Sequence, residues 1–250
     1  MEFAQLHPPG PPVEPEAVYT GLALEARAPA DRPYVVANFV SSSDGKATVH
    51  GRSGPLGGSD GDRASFHLLR TQVDAVLAGT ETMRIENYGR LARDTRFEEI
   101  RVAEGREQQP LGVLISRSGR IPFGIRLFAD RGSRVAVYAP AGTAVPVECE
   151  ADVLLHELPD DSGGDLPGVV GSLRRDHGVR SLLLEGGPLL FGAMLAAGLV
   201  DELFLTLAPA IAGGAERGVT AGAALPEALE LELVWALQRG GHLFLRYVRR

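Results

Sequence analysis

The chain has 250 residues, a formal net charge of −7, one cysteine and six histidines. The lone cysteine, Cys149, excludes an internal disulfide and any cysteine-based zinc site, and the histidines show no paired ligand spacing, so no metal is expected. Basic residues scattered through an acidic chain argue against a nucleic-acid surface, and no run reaches the roughly 18 apolar residues of a membrane span.

The N-terminus, MEFAQLHPPGPP, lacks the basic start and apolar centre of a signal peptide, so a cytoplasmic protein is the expectation. Residues 1–33 are proline-rich without a clear period and read as an arm, with room for a short helix over 14–24. The run YVVANFVS at 34–41 is a strand. The polar, glycine-rich stretch 42–61 is too long for a simple turn, and such loops often carry function. Asp62 is placed to cap a helix through Phe66, Leu69 and Val73, which recur at helical spacing. Residues 75–78 form a second strand ending at Gly79, with Thr80 placed to cap a short helix. The highly charged stretch 90–109 reads as a solvated excursion. Strands follow at 111–115, 135–138 and 153–155, then a turn-rich linker at 160–167 and a helix to His177 and Gly178.

The most informative stretch is SLLLEGGPLLFGAML at 181–195. A short apolar strand is broken by Glu185, Gly186 and Gly187, and Pro188 takes a good first position for a new helix. Such a turn leaves backbone N–H groups pointing outward at the positive end of a helix dipole, where a phosphate fits. A bare Gly-Gly-Pro turn also occurs with no ligand; the unusual feature is the carboxylate of Glu185. The chain ends in strands at 201–207, 229–237 and 242–248 without clear helices between them. The order predicts an α/β fold: a mainly parallel sheet with helices on both faces and antiparallel strands added late, in one domain.

In open parallel sheets ligands bind beyond the carboxyl ends of the strands. Four such ends carry suggestive residues: SSSDGK at 41–46, GTET at 79–82, SRS at 116–118 and EGG at 185–187. If their strands are parallel neighbours, these loops converge on one cleft suited to nucleotide phosphates. Each also has a plain structural reading: an Asp-Gly turn, a helix cap at Gly79–Thr80, a solvated cation at Arg117, surface roles for Arg70 and Arg93, and a capping or salt-bridged Glu185. No Gly-x-Gly-x-x-Gly or Walker loop is present, which disfavours a standard Rossmann or P-loop site. Gly51–Arg52–Ser53–Gly54 is followed by Pro55 and is no nucleophile elbow, and Cys149 has no obvious base.

The stretches RPYVVANFVSSSDGKATVHGRSG, LLRTQVDAVLAGTETM, PLGVLISRSGRIP and LLLEGGPLLFGAMLAAGLVDELFLTLAPAIAGG resemble, in order and spacing, the reductase domain of bacterial riboflavin biosynthesis. The resemblance covers nearly everything from Arg32 onward and is nearest a stand-alone, actinobacterial-type branch. It implies a dihydrofolate reductase-like three-layer fold over 34–250, an N-terminal arm at 1–33, no deaminase domain and a homodimer. It also implies NADPH as cofactor and reduction of the ribose of 5-amino-6-(5-phosphoribosylamino)uracil to ribitol. By position it assigns Gly79, Thr80, Thr82, Glu86, Ser116, Arg117, Gly186, Gly187, Pro188, Leu189, Leu190 and Phe191 to the cofactor. Asn38, Asp44, Ser53, Arg70, Arg93 and Glu185 fall to the substrate, with Lys46 and Glu185 at the reacting centre. Two departures stand out: Ser42–Ser43–Asp44–Gly45 replaces the family's Ser-Leu-Asp-Gly, and Ile85–Glu86–Asn87–Tyr88–Gly89 replaces its Asp-Asp-Pro stretch. The second keeps a dihydrofolate or pteridine reductase open as an alternative; a nucleotide-binding protein without turnover is a third.

Overall fold

The computed structural model of the chain describes residues 1–158 and 165–250. In chain order the elements are β1 (Phe3–His7), β2 (Pro9–Val13), α1 (Pro15–Tyr19), β3 (Tyr34–Ser42), α2 (Asp60–Thr71), β4 (Ala75–Leu77), α3 (Thr80–Ile85) and α4 (Thr95–Ala103). They continue with β5 (Leu111–Ile115), β6 (Arg134–Ala139), β7 (Asp152–Glu157), α5 (Leu166–His177), β8 (Ser181–Leu184), α6 (Pro188–Ala196), β9 (Glu202–Ala208), β10 (Leu231–Arg239) and β11 (His242–Arg249). The alternation of strands and helices followed by a strand-rich end is the α/β pattern expected. Of the linker expected at 160–167, residues 160–164 lie outside the described residues; from Leu166 the chain is already α5, ending at Gly178 with φ 67°.

The chain divides into two compact units, one of Met1–Leu22, Val35–Leu69 and Leu184–Arg250, the other of Ala23–Tyr34 and Arg70–Leu183. In the first, the strand order is β2-β1-β10-β11-β9-β3. β3 and β9 run parallel, from Val36 opposite Glu202 to Ser42 opposite Ala208, while the remaining pairs are antiparallel. β9 is therefore hydrogen-bonded on both sides. The DELFLTL segment, expected as one of the strands added late, is thus an interior strand.

Residues 1–33 are also more regular than their composition suggests. β1 pairs with β10, and the proline-rich β2 lies outermost, where missing N–H groups cost little. Two aromatic anchors hold the segment: Phe3 meets Phe244 at 4.8 Å between ring centroids, and Tyr19 meets Trp235 edge-on at 5.3 Å. Both side chains are buried, worth about 2–3 kcal/mol each, which offsets the entropy of ordering the segment. Anchors this far apart in sequence leave no period to detect. Helix α2 begins three residues before the expected start, with Ser59 rather than Asp62 at its cap. The Ser59 Oγ accepts the Asp62 N–H at 3.1 Å. Asp62 lies inside the first turn, where burial pushes its carboxyl up to about 6 against a hydrogen bond from Thr206.

In the second unit the order is β8-β4-β5-β6-β7, with β4 to β7 all parallel. Leu182–Leu183, Val113–Leu114 and Val135–Ala139 are buried without alternation, as parallel strands covered on both faces are. Residues 90–109 are not simply solvated: they contain α4 and Arg101, which is 1% exposed. Its guanidinium donates to the carbonyls of Arg70 at 2.8 Å and Val73 at 2.6 Å, at and just past the end of α2, and to that of Glu107 at 2.8 Å, beyond α4. Burial, with Arg106 nearby, lowers its pKa to about 10. Arg106 in turn pairs with Glu25 and Asp74, and Asp74 accepts the N–H groups of Arg180 and Ser181 at the start of β8. The charge that looks solvent-directed in sequence is an internal clasp.

Candidate functional site

β3 leads into the loop that holds Lys46. The Ser42 hydroxyl donates to Asp44 Oδ1 at 2.6 Å and accepts the Lys46 N–H at 2.9 Å, while Gly45 turns the chain at φ 83°. Asp44 also accepts the N–H groups of Ala212 at 3.0 Å and Gly213 at 2.8 Å, from the loop after β9. The Ser42 hydroxyl, followed by these amides, holds the carboxyl down to about 2. Both oxygens of Asp44, expected at the substrate, accept hydrogen bonds from the protein, and these bonds shape the loop. Lys46 Nζ donates to the Glu216 carbonyl at 3.0 Å, leaving two of its three donors for a ligand. Ser53 is half-buried, and its carbonyl accepts the N–H groups of Leu56 and Gly57 in the next turn. Asn38, half-buried in β3, lies opposite Phe204 of β9.

After Leu184 comes Glu185, buried at 8% exposure, and then two glycines in conformations that side chains avoid: Gly186 at φ 142° and Gly187 at φ 69°. Gly187 is the N-cap of α6, Pro188 opens the helix, and no side chain caps it. A helix start without a side-chain cap is a place where an anion such as a cofactor phosphate can be held. Leu189 is half exposed and Leu190 half-buried, whereas the ring of Phe191 is committed to the core, stacked on Phe39 at 4.4 Å. The chain at Ala221 secures the helix: its N–H donates to the Pro188 carbonyl at 2.9 Å. Its carbonyl lies so close to Gly192 that a Cβ there would come within 2.2 Å.

In the second unit, the turns after β4 and β5 are neighbours because those strands pair in parallel. Gly79, not Thr80, is the N-cap of α3, in extended conformation and with no side-chain cap; Thr80 is the first helical residue. Thr82 and Glu86 are half-buried. Ser116 is buried and closes β5, donating its N–H to the Tyr138 carbonyl at 2.8 Å. Arg117 is exposed, with no hydrogen bond or ion pair among the described residues, which suits it to a phosphate. Arg70 is no surface residue: it is 5% exposed, donates to the Leu91 carbonyl at 3.3 Å and lies 5.0 Å from the Tyr88 ring centroid. Arg93, two residues beyond Leu91, is exposed.

Sequence reasoning missed Glu216, whose carboxylate accepts Thr48 Oγ1–H at 2.5 Å and the Gly51 N–H at 3.2 Å. Its partners lie 168 and 165 residues away, so no local pattern could have flagged it. Among the described residues no group of three or more His, Cys, Asp or Glu could hold a metal ion, and no helix is long and apolar enough to cross a membrane.

A family model described as the RibD C-terminal domain matches residues 33–244. A 2,5-diamino-6-ribosylamino-4(3H)-pyrimidinone 5′-phosphate reductase from Methanothermobacter thermautotrophicus is 30% identical over 225 residues, spanning 86% of this chain and 98% of that protein. The reductase of the same name from Archaeoglobus fulgidus is 29% identical over 186 residues, spanning 73% and 83%. Among solved structures, a pyrimidine reductase-like protein from Corynebacterium diphtheriae superposes with a TM-score of 0.77 at 24% identity, over 94% of this chain and 98% of that one. That likeness shows the fold.

Proposed function

The chain belongs to the RibD C-terminal domain family, and from that premise we propose that it is an NADPH-dependent reductase of riboflavin biosynthesis, converting 5-amino-6-(5-phosphoribosylamino)uracil to its ribitylamino form. The observation that carries this reading is the uncapped, glycine-defined start of α6 with the buried Glu185 directly before it. An anion-binding turn and a carboxyl group adjoin in the chain, as a site for a phosphorylated cofactor beside a reacting sugar requires.

Gly186, Gly187 and the first turn of α6, Pro188 to Phe191, are assigned to the cofactor phosphates through their backbone. Gly79, Thr80, Thr82, Glu86, Ser116 and Arg117 are assigned to cofactor recognition as well. The cation at Arg117 is the feature that favours NADPH over NADH. Bound NADPH supplies the hydride that reduces ribose C1′. As the C1′–O4′ bond opens, O4′ takes up one proton, so a hydride and a proton are added and nothing leaves. The Lys46 ammonium and the Glu185 carboxyl are the groups assigned to polarise O4′ and deliver that proton. Asn38 and Ser53 are assigned to the substrate's polar groups, Arg70 and Arg93 to its phosphate, and Asp44 to holding the loop that carries Lys46.

The relatives from Methanothermobacter and Archaeoglobus, which align over most of their own length, are named for the diamino-pyrimidinone and not for the uracil. This supports a second reading, reduction before deamination. The segment Ile85–Gly89 keeps dihydrofolate as a third substrate. NADPH oxidation assayed with both pyrimidine ribotides and with dihydrofolate separates them; tight NADPH binding without turnover of any leaves a nucleotide-binding protein. The assembly implied is a cytoplasmic homodimer, which light scattering checks; a monomer at micromolar concentration contradicts it.

A further inference from the structure

The loop after β3 and the loop after β9 are joined by two carboxylates that reach in opposite directions. Asp44 of the first takes the Ala212 and Gly213 amides of the second. Glu216 of the second takes the Thr48 hydroxyl on Oε2 at 2.5 Å and the Gly51 amide on Oε1 at 3.2 Å. Lys46 lies in sequence between the residues so fastened. Its Nζ donates to the Glu216 carbonyl at 3.0 Å, the N–H of Ala47 donates to the Arg217 carbonyl at 2.9 Å, and Lys46 bridges to Gly218.

The choice of a carbonyl for the ammonium has a chemical consequence. A carboxylate would form an ion pair with Lys46 and occupy its charge, whereas a carbonyl orients the ammonium and leaves the charge for a ligand. A free lysine side chain also carries about 2 kcal/mol of rotamer entropy, so holding it in one direction needs a fixed anchor. The carbonyl serves only if its own segment is held against the loop, and the Glu216 carboxylate does this on the far side of Lys46. The Thr48 hydroxyl holds that carboxyl below its ordinary range, so the clamp is ionised at neutral pH.

Resting on the assignment of Lys46 to the reacting ribose, we infer that Glu216 is a positioning residue for Lys46: its carboxylate clamps residues 48–51 so that its carbonyl can aim the ammonium. The test is a cycle of wild type, Glu216→Ala, Lys46→Met and the double variant, with kcat, KM and NADPH affinity measured for each. Glu216→Ala is expected to lower kcat about tenfold to a hundredfold, the scale of a misplaced catalytic group, with NADPH affinity changed less than about twofold. Glu216→Gln, whose amide oxygen still accepts one of the two donors, recovers most of that loss. In the Lys46→Met background Glu216→Ala adds less than about twofold, because its effect runs through Lys46. Additive losses, or wild-type kcat in either single variant, overturn the inference and leave the reductase reading standing. Wild-type protein that turns over none of the three substrates fails that reading instead. Hydrogen exchange at 46–51 then tests the clamp alone: faster exchange in Glu216→Ala supports it, and unchanged exchange overturns it.

Discussion

The loop after β3 and the turn after β8 both leave the carboxyl end of a buried strand, and opposite means hold them. The turn is shaped by what is absent: Gly186 and Gly187 have no Cβ, adopt positive φ, and leave the start of α6 without a side-chain cap. The loop is shaped by what reaches it from elsewhere, through Asp44, Glu216 and the carbonyls of residues 208, 210, 216 and 217. A turn built on glycine tolerates almost no change at its own positions. A loop built on distant hydrogen bonds yields one bond at a time.

The largest expected effect is therefore at the turn. Gly187→Val forces a β-branched residue to φ 69°, a strain of about 1–3 kcal/mol, and puts a side chain where the anion would sit. NADPH affinity should fall more than about tenfold and the melting temperature should drop; wild-type affinity would show that the turn's backbone does not hold the cofactor. Next is Gly192→Ala, where the new methyl meets the Ala221 carbonyl and something must move, at about 1–3 kcal/mol in urea unfolding. An unchanged midpoint would mean that the crossing chain gives way freely.

On the loop side the effects depend on pH. The far end of the loop rests on Asp62: a Cβ on Gly57 would come within 2.7 Å of its carboxylate. Because burial raises this carboxyl from 3.8 to about 6, the folded state binds the proton more tightly. Stability therefore falls as pH rises from about 4 to about 6 and stays reduced above that. Asp62→Asn should stabilise the protein at pH 8 by about 1–3 kcal/mol, with the gain vanishing near pH 4; a gain independent of pH would exclude the titration. Asp44 has the opposite sign. Its carboxyl is held down to about 2, so its contribution is complete above about 4 and is lost as pH falls through about 2. Asp44→Asn should lower kcat a few-fold at neutral pH and unfold at the same denaturant concentration as wild type near pH 2. A stability difference surviving there would mean that the latch does not depend on its charge.

Most strands, the glycine turn and the end of α5 at Gly178 were legible because their signals are local: apolar runs of strand length, glycine at a turn or helix end, proline at a helix start. Arg101 and Arg106 were not, since a buried guanidinium looks like a solvated one until its carbonyls and carboxylates are placed. Arg70 was assigned to the substrate by resemblance, but its burial beside Tyr88 could not be read from its neighbours in the chain. Strands β1 and β2 were not legible for a related reason, because Phe3 and Tyr19 acquire meaning only against Phe244 and Trp235, whereas the short helix expected over 14–24 is present as α1.

Backbone conformation is set within a few residues, so the chain alone specified the α/β order, the strand–glycine–helix turn and the family resemblance built on it. Hydrogen bonds and burial join residues without regard to their distance along the chain. Only tertiary structure could show that β9 is an interior strand, that Asp44 is engaged by backbone amides, and that Glu216 is bonded to the loop carrying Lys46.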